Sequence, residues 1–122
     1  MGMYTEIYVN VDLKKETPKE VLDVLRAICE KNFNNENLKD KPERWSRLFN
    51  NGSYYVPSTE CASLTYDEIS NQWSLLGKGD IKNYEREIEK FFEFIKSWCK
   101  NVFIGYYRYE EDRDPILVYS DV

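Results

Sequence analysis

The chain contains no histidine, and this absence excludes several kinds of catalysis. Histidine is the commonest general base near neutral pH, so neither a Ser/His/Asp nor a Cys/His arrangement can be assembled from these 122 residues. Pairs of carboxylates stay open as a catalytic device, but 22 Asp and Glu residues make chance pairs abundant and no spacing singles one out. We therefore expect a protein that is not an enzyme.

Cysteine is also scarce. Cys29, Cys61 and Cys99 are far apart along the chain, they form no Cys-x-x-Cys pair, and no histidine is present to complete a zinc site. Thiols without a disulfide pattern are typical of a reducing compartment, so we expect reduced, partly buried cysteines in a cytoplasmic protein. We expect no metal and no cofactor.

Long apolar runs are absent as well. None approaches the ~20 residues of a membrane-spanning helix, and the N-terminus lacks a basic segment followed by an apolar one, so we expect no membrane association. Met3 is a second candidate start, in which case Met1 and Gly2 are a cloning remnant.

The formal charge of −5 argues against direct binding to nucleic-acid phosphates.

The residues that are present predict one α+β domain over residues 1–122. The apolar share of 42 % is enough for a core, and a period of two predicts a first strand from about Tyr4 to Asp12. Thr17, Pro18 and Glu20 have the spacing of a capping box, which predicts a helix that extends to about Lys31.

The middle of the chain predicts a surface loop from Asn32 to Lys41 and one or two helical turns from Pro42 to Phe49. These turns place Trp45, Leu48 and Phe49 on one side. Three short strands follow, as an antiparallel meander, at Ser53 to Val56, Ala62 to Asp67 and Gln72 to Lys78.

The clearest helical pattern begins with Asp80 as the N-cap and repeats apolar residues at three-or-four spacing as far as Cys99. Two strands then follow, at about Val102 to Glu110 and at Ile116 to Tyr119. The predicted order is βα(α)βββαββ, with two helices packed on one face of a mostly antiparallel sheet. A decorated ferredoxin-like arrangement is one form of this architecture.

The stretch GYYRYEEDRD divides its tyrosines between two faces of a strand. Alternation places Ile104, Tyr106 and Arg108 on one face, and Gly105 and Tyr107 on the other. Gly105 suggests either a bulge or a close approach by a helix. The acidic turn that follows lacks the glycine and glutamate of a calcium loop, so we expect it to be solvated.

Aromatic and cationic residues form the candidate binding set. Flat rings offer stacking area, and arginine pairs in a bidentate manner with phosphate or carboxylate. An alternative is that the tyrosines are the edges of the core and the arginines are solvated partners of carboxylates. The candidate residues are Arg44, Trp45, Arg47, Tyr54, Tyr55, Tyr107 and Arg108.

Three segments resemble a group of small bacteriophage and prophage proteins that have no characterised activity. They are MYTE from Met3 to Glu6, GSYY from Gly52 to Tyr55, and IKNYEREIEKF from Ile81 to Phe91. The resemblance implies a setting in a bacterial host, where small phage proteins often inhibit defence complexes or capture nucleotide signals. It implies no catalytic or binding residue.

Two functions are therefore expected. The first is a non-enzymatic interaction protein of the anti-defence type that binds a host protein or protein complex. Glu85, Glu89 and Glu93 could present carboxylates to a basic groove. The second is a homo-oligomer that holds a nucleotide-like small molecule between rings and arginines, because a subunit interface can supply a pocket that one small domain lacks.

Overall fold

The computed structural model describes residues 4–30, 41, 45, 48–49, 62–81 and 86–121. Within them the chain forms five strands, two α-helices and a short 3₁₀ helix. In chain order they are β1 (Thr5–Asp12), α1 (Lys19–Cys29), β2 (Ala62–Asp67), β3 (Gln72–Ile81), α2 (Glu87–Ile95), the 3₁₀ helix (Lys96–Trp98), β4 (Phe103–Tyr109) and β5 (Ile116–Tyr119).

The strands form one antiparallel sheet in the order β2-β3-β1-β4-β5. Helix α1 connects β1 to β2 with β3 lying between them, and α2 connects β3 to β4 with β1 between them. Two such split βαβ units make a ferredoxin-like arrangement, to which β5 is added as a hairpin with β4. The predicted α+β fold is confirmed.

The core lies on one face of this sheet. Ile7, Val9 and Val11 alternate along β1 and are fully buried, as the period of two predicts. Both helices turn their apolar stripes onto the same face, and the buried residues of the sheet and helices form one cluster. No helix among the described residues is long and apolar enough to span a bilayer.

The start of α1 differs from the predicted capping box. Pro18, not Thr17, occupies the N-cap position, and no side chain caps the first turn. The hydroxyl of Thr17 instead donates a hydrogen bond to the carbonyl oxygen of Lys14 at 2.6 Å, so the turn before the helix uses it. Proline still fits this position, because its φ of −63° is already set by the ring.

The start of α2 also differs. Asp80 and Ile81 belong to β3, where they lie opposite Glu6 and Thr5 of β1. The helix begins at Glu87, directly after Arg86, whose φ is 61°. Continuous pairing along the whole of β1 outweighs the helical pattern at Asp80 and Ile81. The apolar stripe of Ile88, Phe91, Phe92 and Ile95 is buried as predicted.

The segment before β2 is described only in part. Trp45, Leu48 and Phe49 are all buried, in agreement with their predicted position on one side of a turn. The amide of Leu48 donates to the carbonyl oxygen of Trp45 at 3.1 Å. The predicted strand from Ser53 to Val56 and, apart from Lys41, the predicted loop from Asn32 to Lys41 lie outside the described residues.

Candidate binding surface

The sheet face that points away from the helices is the natural place for a binding surface. We call it the open face, because no described helix packs on it. On β1 it carries Glu6, Tyr8, Asn10 and Asp12, which alternate with the buried residues. Antiparallel register brings side chains of β3 and β4 beside them, since directly opposed residues share a face.

Two tyrosines stack at the centre of the open face. Tyr8 lies opposite Tyr106, and their ring centroids are 5.5 Å apart with an interplanar angle of 20°. The side-chain Nδ2 of Asn10 donates a hydrogen bond to the Tyr8 hydroxyl at 3.4 Å. Burial, and then the charge of Glu6, raises the pKa of Tyr106. Its phenol therefore stays protonated at neutral pH and offers both a flat ring and a hydroxyl donor.

An arginine is held next to this pair. The Nε of Arg108 donates to Oε1 of Glu6 at 2.9 Å, and its Nη1 donates to the carbonyl oxygen of Asp112 at 2.8 Å. The side chains of Arg108 and Glu6 remain 33 % and 40 % exposed. Two contacts thus fix the guanidinium while leaving part of it accessible, so little side-chain entropy remains to be lost on binding.

A further carboxylate lies on the other side of Glu6. Asp80 of β3 is opposite Glu6 in the register. Burial, followed by the charges of Glu6 and Glu110, raises the pKa of Asp80, and the charge of Arg108 acts in the opposite direction.

We refer to Glu6, Tyr8, Tyr106 and Arg108 together as the tyrosine–arginine surface. Tyr and Arg are the residue types that most often dominate the energy of protein interfaces.

Strand β4 contains a bulge directly before Gly105 and Tyr106. Phe103 is opposite Tyr119 whereas Gly105 is opposite Val118, so Ile104 is an extra residue in β4. Ile104 consequently enters the core, which corrects the prediction that it shares a face with Tyr106 and Arg108. The bulge suggested by Gly105 is present, with Ile104 as its extra residue.

Gly105 also permits a close approach, but by β1 rather than by a helix. A Cβ at this position would overlap the carbonyl oxygen of Tyr8 and lie 3.1 Å from Cα of Val9. Only glycine lets β4 come this near to β1. The close approach lies next to the Tyr8–Tyr106 pair, since Gly105 is opposite Val9 in the same register.

Trp45 is not part of any surface, which corrects its selection as a binding residue. It is 2 % exposed, and its indole Nε1 donates to the carbonyl oxygen of Glu87 at 3.1 Å. Its ring packs edge-on against Phe91, with centroids 5.7 Å apart. Trp45 therefore joins its segment to the first turn of α2 within the core.

Of the other predicted residues, the two that the structure describes lie on opposite faces of the sheet. Tyr107 faces the helices and packs its ring against that of Phe92, with centroids 6.1 Å apart, whereas Arg108 lies on the open face. Arg44, Arg47, Tyr54 and Tyr55 lie outside the described residues. Sequence reasoning placed Tyr106 and Arg108 on one face but did not select Glu6, Tyr8 or Tyr106. The signal that could have identified Glu6 and Tyr8 was their place at the solvent-facing positions of the β1 alternation.

The remaining chemistry of the described residues is unremarkable. No three His, Cys, Asp or Glu side chains in the described ranges are placed to hold a metal ion. Burial raises the pKa of Cys29 and of Cys99 to about 12, so neither is a reactive thiolate at neutral pH. Of the three glutamates predicted to present carboxylates, Glu89 and Glu93 form ion pairs with Arg86 and Lys96 of their own segment, and Glu85 lies outside the described residues.

Comparison with known proteins adds no candidate function. No family model, curated protein or solved structure matches the chain. The assignment of function therefore depends on the residues and contacts of the open face.

Proposed function

We propose that the chain is a non-enzymatic interaction protein of bacteriophage or prophage origin. It binds a protein or protein complex of its bacterial host and inhibits a defence complex by occupying it. The observation that carries the binding proposal is the stacked Tyr8–Tyr106 pair beside the fixed guanidinium of Arg108, on a sheet face that no described helix covers. The phage setting rests on the resemblance of the three segments described above.

The geometry suits recognition because the surface is already organised before the partner arrives. The tyrosine rings lie on central strands, and strand positions hold side chains more rigidly than loops do. Arg108 is oriented by Glu6 and by the carbonyl oxygen of Asp112. Groups that are fixed in advance lose less conformational entropy when a complex forms.

The charges of the open face favour a protein partner over a nucleic acid. Arg108 already pairs with Glu6, and Asp80 and Asp12 add further carboxylates to the same face. A phosphate backbone would be repelled by these groups and by the net charge of −5. A protein surface with basic and hydrogen-bonding side chains is the complementary partner.

The alternative, an oligomeric binder of a nucleotide-like molecule, was predicted from a set of aromatic and arginine residues that would have to converge. Among its described members, Trp45 is in the core, and Tyr107 and Arg108 point to opposite faces. The contacts of the described residues therefore favour a macromolecular partner.

A direct test uses the purified chain and a panel of purified bacterial defence complexes in a binding assay. In the complex that binds, Tyr8→Ala and Arg108→Ala should each raise the dissociation constant by about tenfold or more, which corresponds to about 1.4 kcal/mol. Tyr66→Ala and Arg26→Ala are matched controls. Both residues pack against Trp73, away from the tyrosine–arginine surface, and these variants should bind as the wild type does.

Thermal melts establish that each variant is folded. Binding that is equally tight for Tyr8→Ala, Arg108→Ala and the wild type would show that another surface makes the contact. A panel in which no complex binds, together with a thermal shift caused by one nucleotide, would replace this proposal with the small-molecule alternative.

A further inference from the structure

Exposed apolar side chains are concentrated on the hairpin of β4 and β5. Their exposed fractions lie between 43 % and 60 %, although each is a large aliphatic or aromatic residue. Phe103 and Tyr119 contact each other across the two strands, with ring centroids 5.9 Å apart. The set comprises Val102, Phe103, Ile116, Leu117 and Tyr119.

Strand β5 lies at the edge of the sheet, where among the described strands only β4 pairs with it. Its sequence, ILVY, contains no charged residue. Natural edge strands usually carry lysine, proline or an inward-pointing charge that prevents pairing with another chain. The opposite edge, β2, has serine, threonine and aspartate instead. The composition of β5 is that of a strand that pairs.

We propose that β5 pairs in an antiparallel manner with β5 of a second copy of this chain, which joins the two sheets into one. The register we propose places Leu117 opposite Leu117 of the second copy and Ile116 opposite Val118. An even register of this kind keeps both open faces on the same side, whereas a slip of one residue would turn one sheet over.

Charge complementarity favours this register. Arg113 lies in the turn before β5 with its side chain 95 % exposed, and Asp121 follows β5 with its carboxylate 51 % exposed beside Lys96. The register brings Arg113 of each copy near Asp121 of the other, and the symmetry repeats this pair at the other end of the strand. A slip of two residues toward the turn would instead bring Asp121 closer to the acidic residues of that turn, Glu111 and Asp112, so that like charges approach each other. Unlike charges at both ends and uncharged residues between them make β5 complementary to itself.

The exposed area sets the strength that should be found. The three side chains of this set that lie on β5 itself, Ile116, Leu117 and Tyr119, are about half exposed, which leaves roughly 300 Å² of mostly apolar surface per copy, or about 600 Å² for the pair, with ~200 Å² taken for a large side chain. This is below the size of a stable interface and in the range of weak, transient ones. We therefore expect a reversible dimer that dissociates in the high micromolar range.

Sedimentation of the chain alone, up to ~0.5 mM, measures the dimer. The expected mass rises with concentration toward twice 14.6 kDa. Leu117→Asp should raise the dissociation constant by about 100-fold or more, because two carboxylates then face each other at the axis. Leu76→Asp is the matched control, since Leu76 is 48 % exposed and Leu117 is 49 %, but Leu76 lies on an internal strand.

A cysteine variant tests the register without relying on a charged substitution. Under mild oxidation, Leu117→Cys should form a disulfide-linked dimer, because the two cysteines meet at the axis; Leu76→Cys, which has the same native thiols, should not. A monomer at every concentration would overturn the proposal, and so would a dimer that Leu117→Asp leaves intact. No host partner is present in these experiments, so their failure would be distinct from a failure of the proposed function.

Discussion

Substitution of Trp45 distinguishes a core anchor from a surface residue. The structure places the indole in the core, with its Nε1–H on the carbonyl oxygen of Glu87 and its ring against Phe91 and Phe94. If the side chain were on the surface, as its selection for binding required, its removal would change the free energy of unfolding by about 0.5 kcal/mol or less.

The magnitude follows from the contacts. Trp45→Phe removes one buried hydrogen bond, which contributes about 1 kcal/mol. It also removes buried ring atoms equivalent to two or three methylene groups, at ~0.8 kcal/mol each. We therefore expect the free energy of unfolding to fall by about 3 kcal/mol. Trp45→Ala leaves a larger cavity and should cost about 4–5 kcal/mol.

Urea unfolding followed by far-UV circular dichroism measures this change. Trp73→Phe is a suitable control, because Trp73 is only partly buried on β3 and should lose about 1 kcal/mol. The slope of the transition should be unchanged, so the loss appears as a lower midpoint. A loss below about 1 kcal/mol for Trp45→Ala would refute the placement of this residue in the core.

Two further predictions concern the sheet that carries the open face. Gly105→Ala should lower the free energy of unfolding by about 2–4 kcal/mol, because a Cβ there meets the backbone of Tyr8; an unchanged urea midpoint would contradict this close approach. Because the pKa of Asp80 is raised above 3.8, the native state holds this proton more tightly than the unfolded state, and stability falls as the pH rises through the folded pKa. Asp80→Asn should therefore be more stable than the wild type at neutral pH, by under about 1 kcal/mol since the carboxylate is partly solvated. If thermal melts from acidic to neutral pH show the same stability for Asp80→Asn and the wild type, the raised pKa of Asp80 is contradicted.

The elements that local pattern defines best were predicted closely. The period of two in β1 and the bounds of β5 agree with the structure, because each side of these strands has a constant environment along its length. The boundary between β3 and α2 was predicted incorrectly. Asp80 and Ile81 satisfy a helical pattern locally, but the backbone groups of β1 opposite them supply a strand partner that the local sequence does not reveal.

The candidate surface was predicted only in part, for the same reason. Alternation correctly grouped Tyr106 with Arg108, since both follow the bulge in β4. It could not pair them with Tyr8 and Glu6, which are about a hundred residues away and reach them only through the register of β1 with β4. The ring of Trp45 is equally suited to stacking on a binding partner and to packing in the core, and only its neighbours in the fold decide between these roles.

The amino-acid sequence alone determined that an imidazole base is absent and that the net charge is negative. It also determined that apolar residues recur with the period of a strand in some segments and with that of a helix in others. These are properties of composition and of near neighbours. The tertiary structure decided which residues share a surface, because contacts between distant segments depend on strand order and register. One inserted residue in β4 changes which side chains enter the core and which remain on the open face.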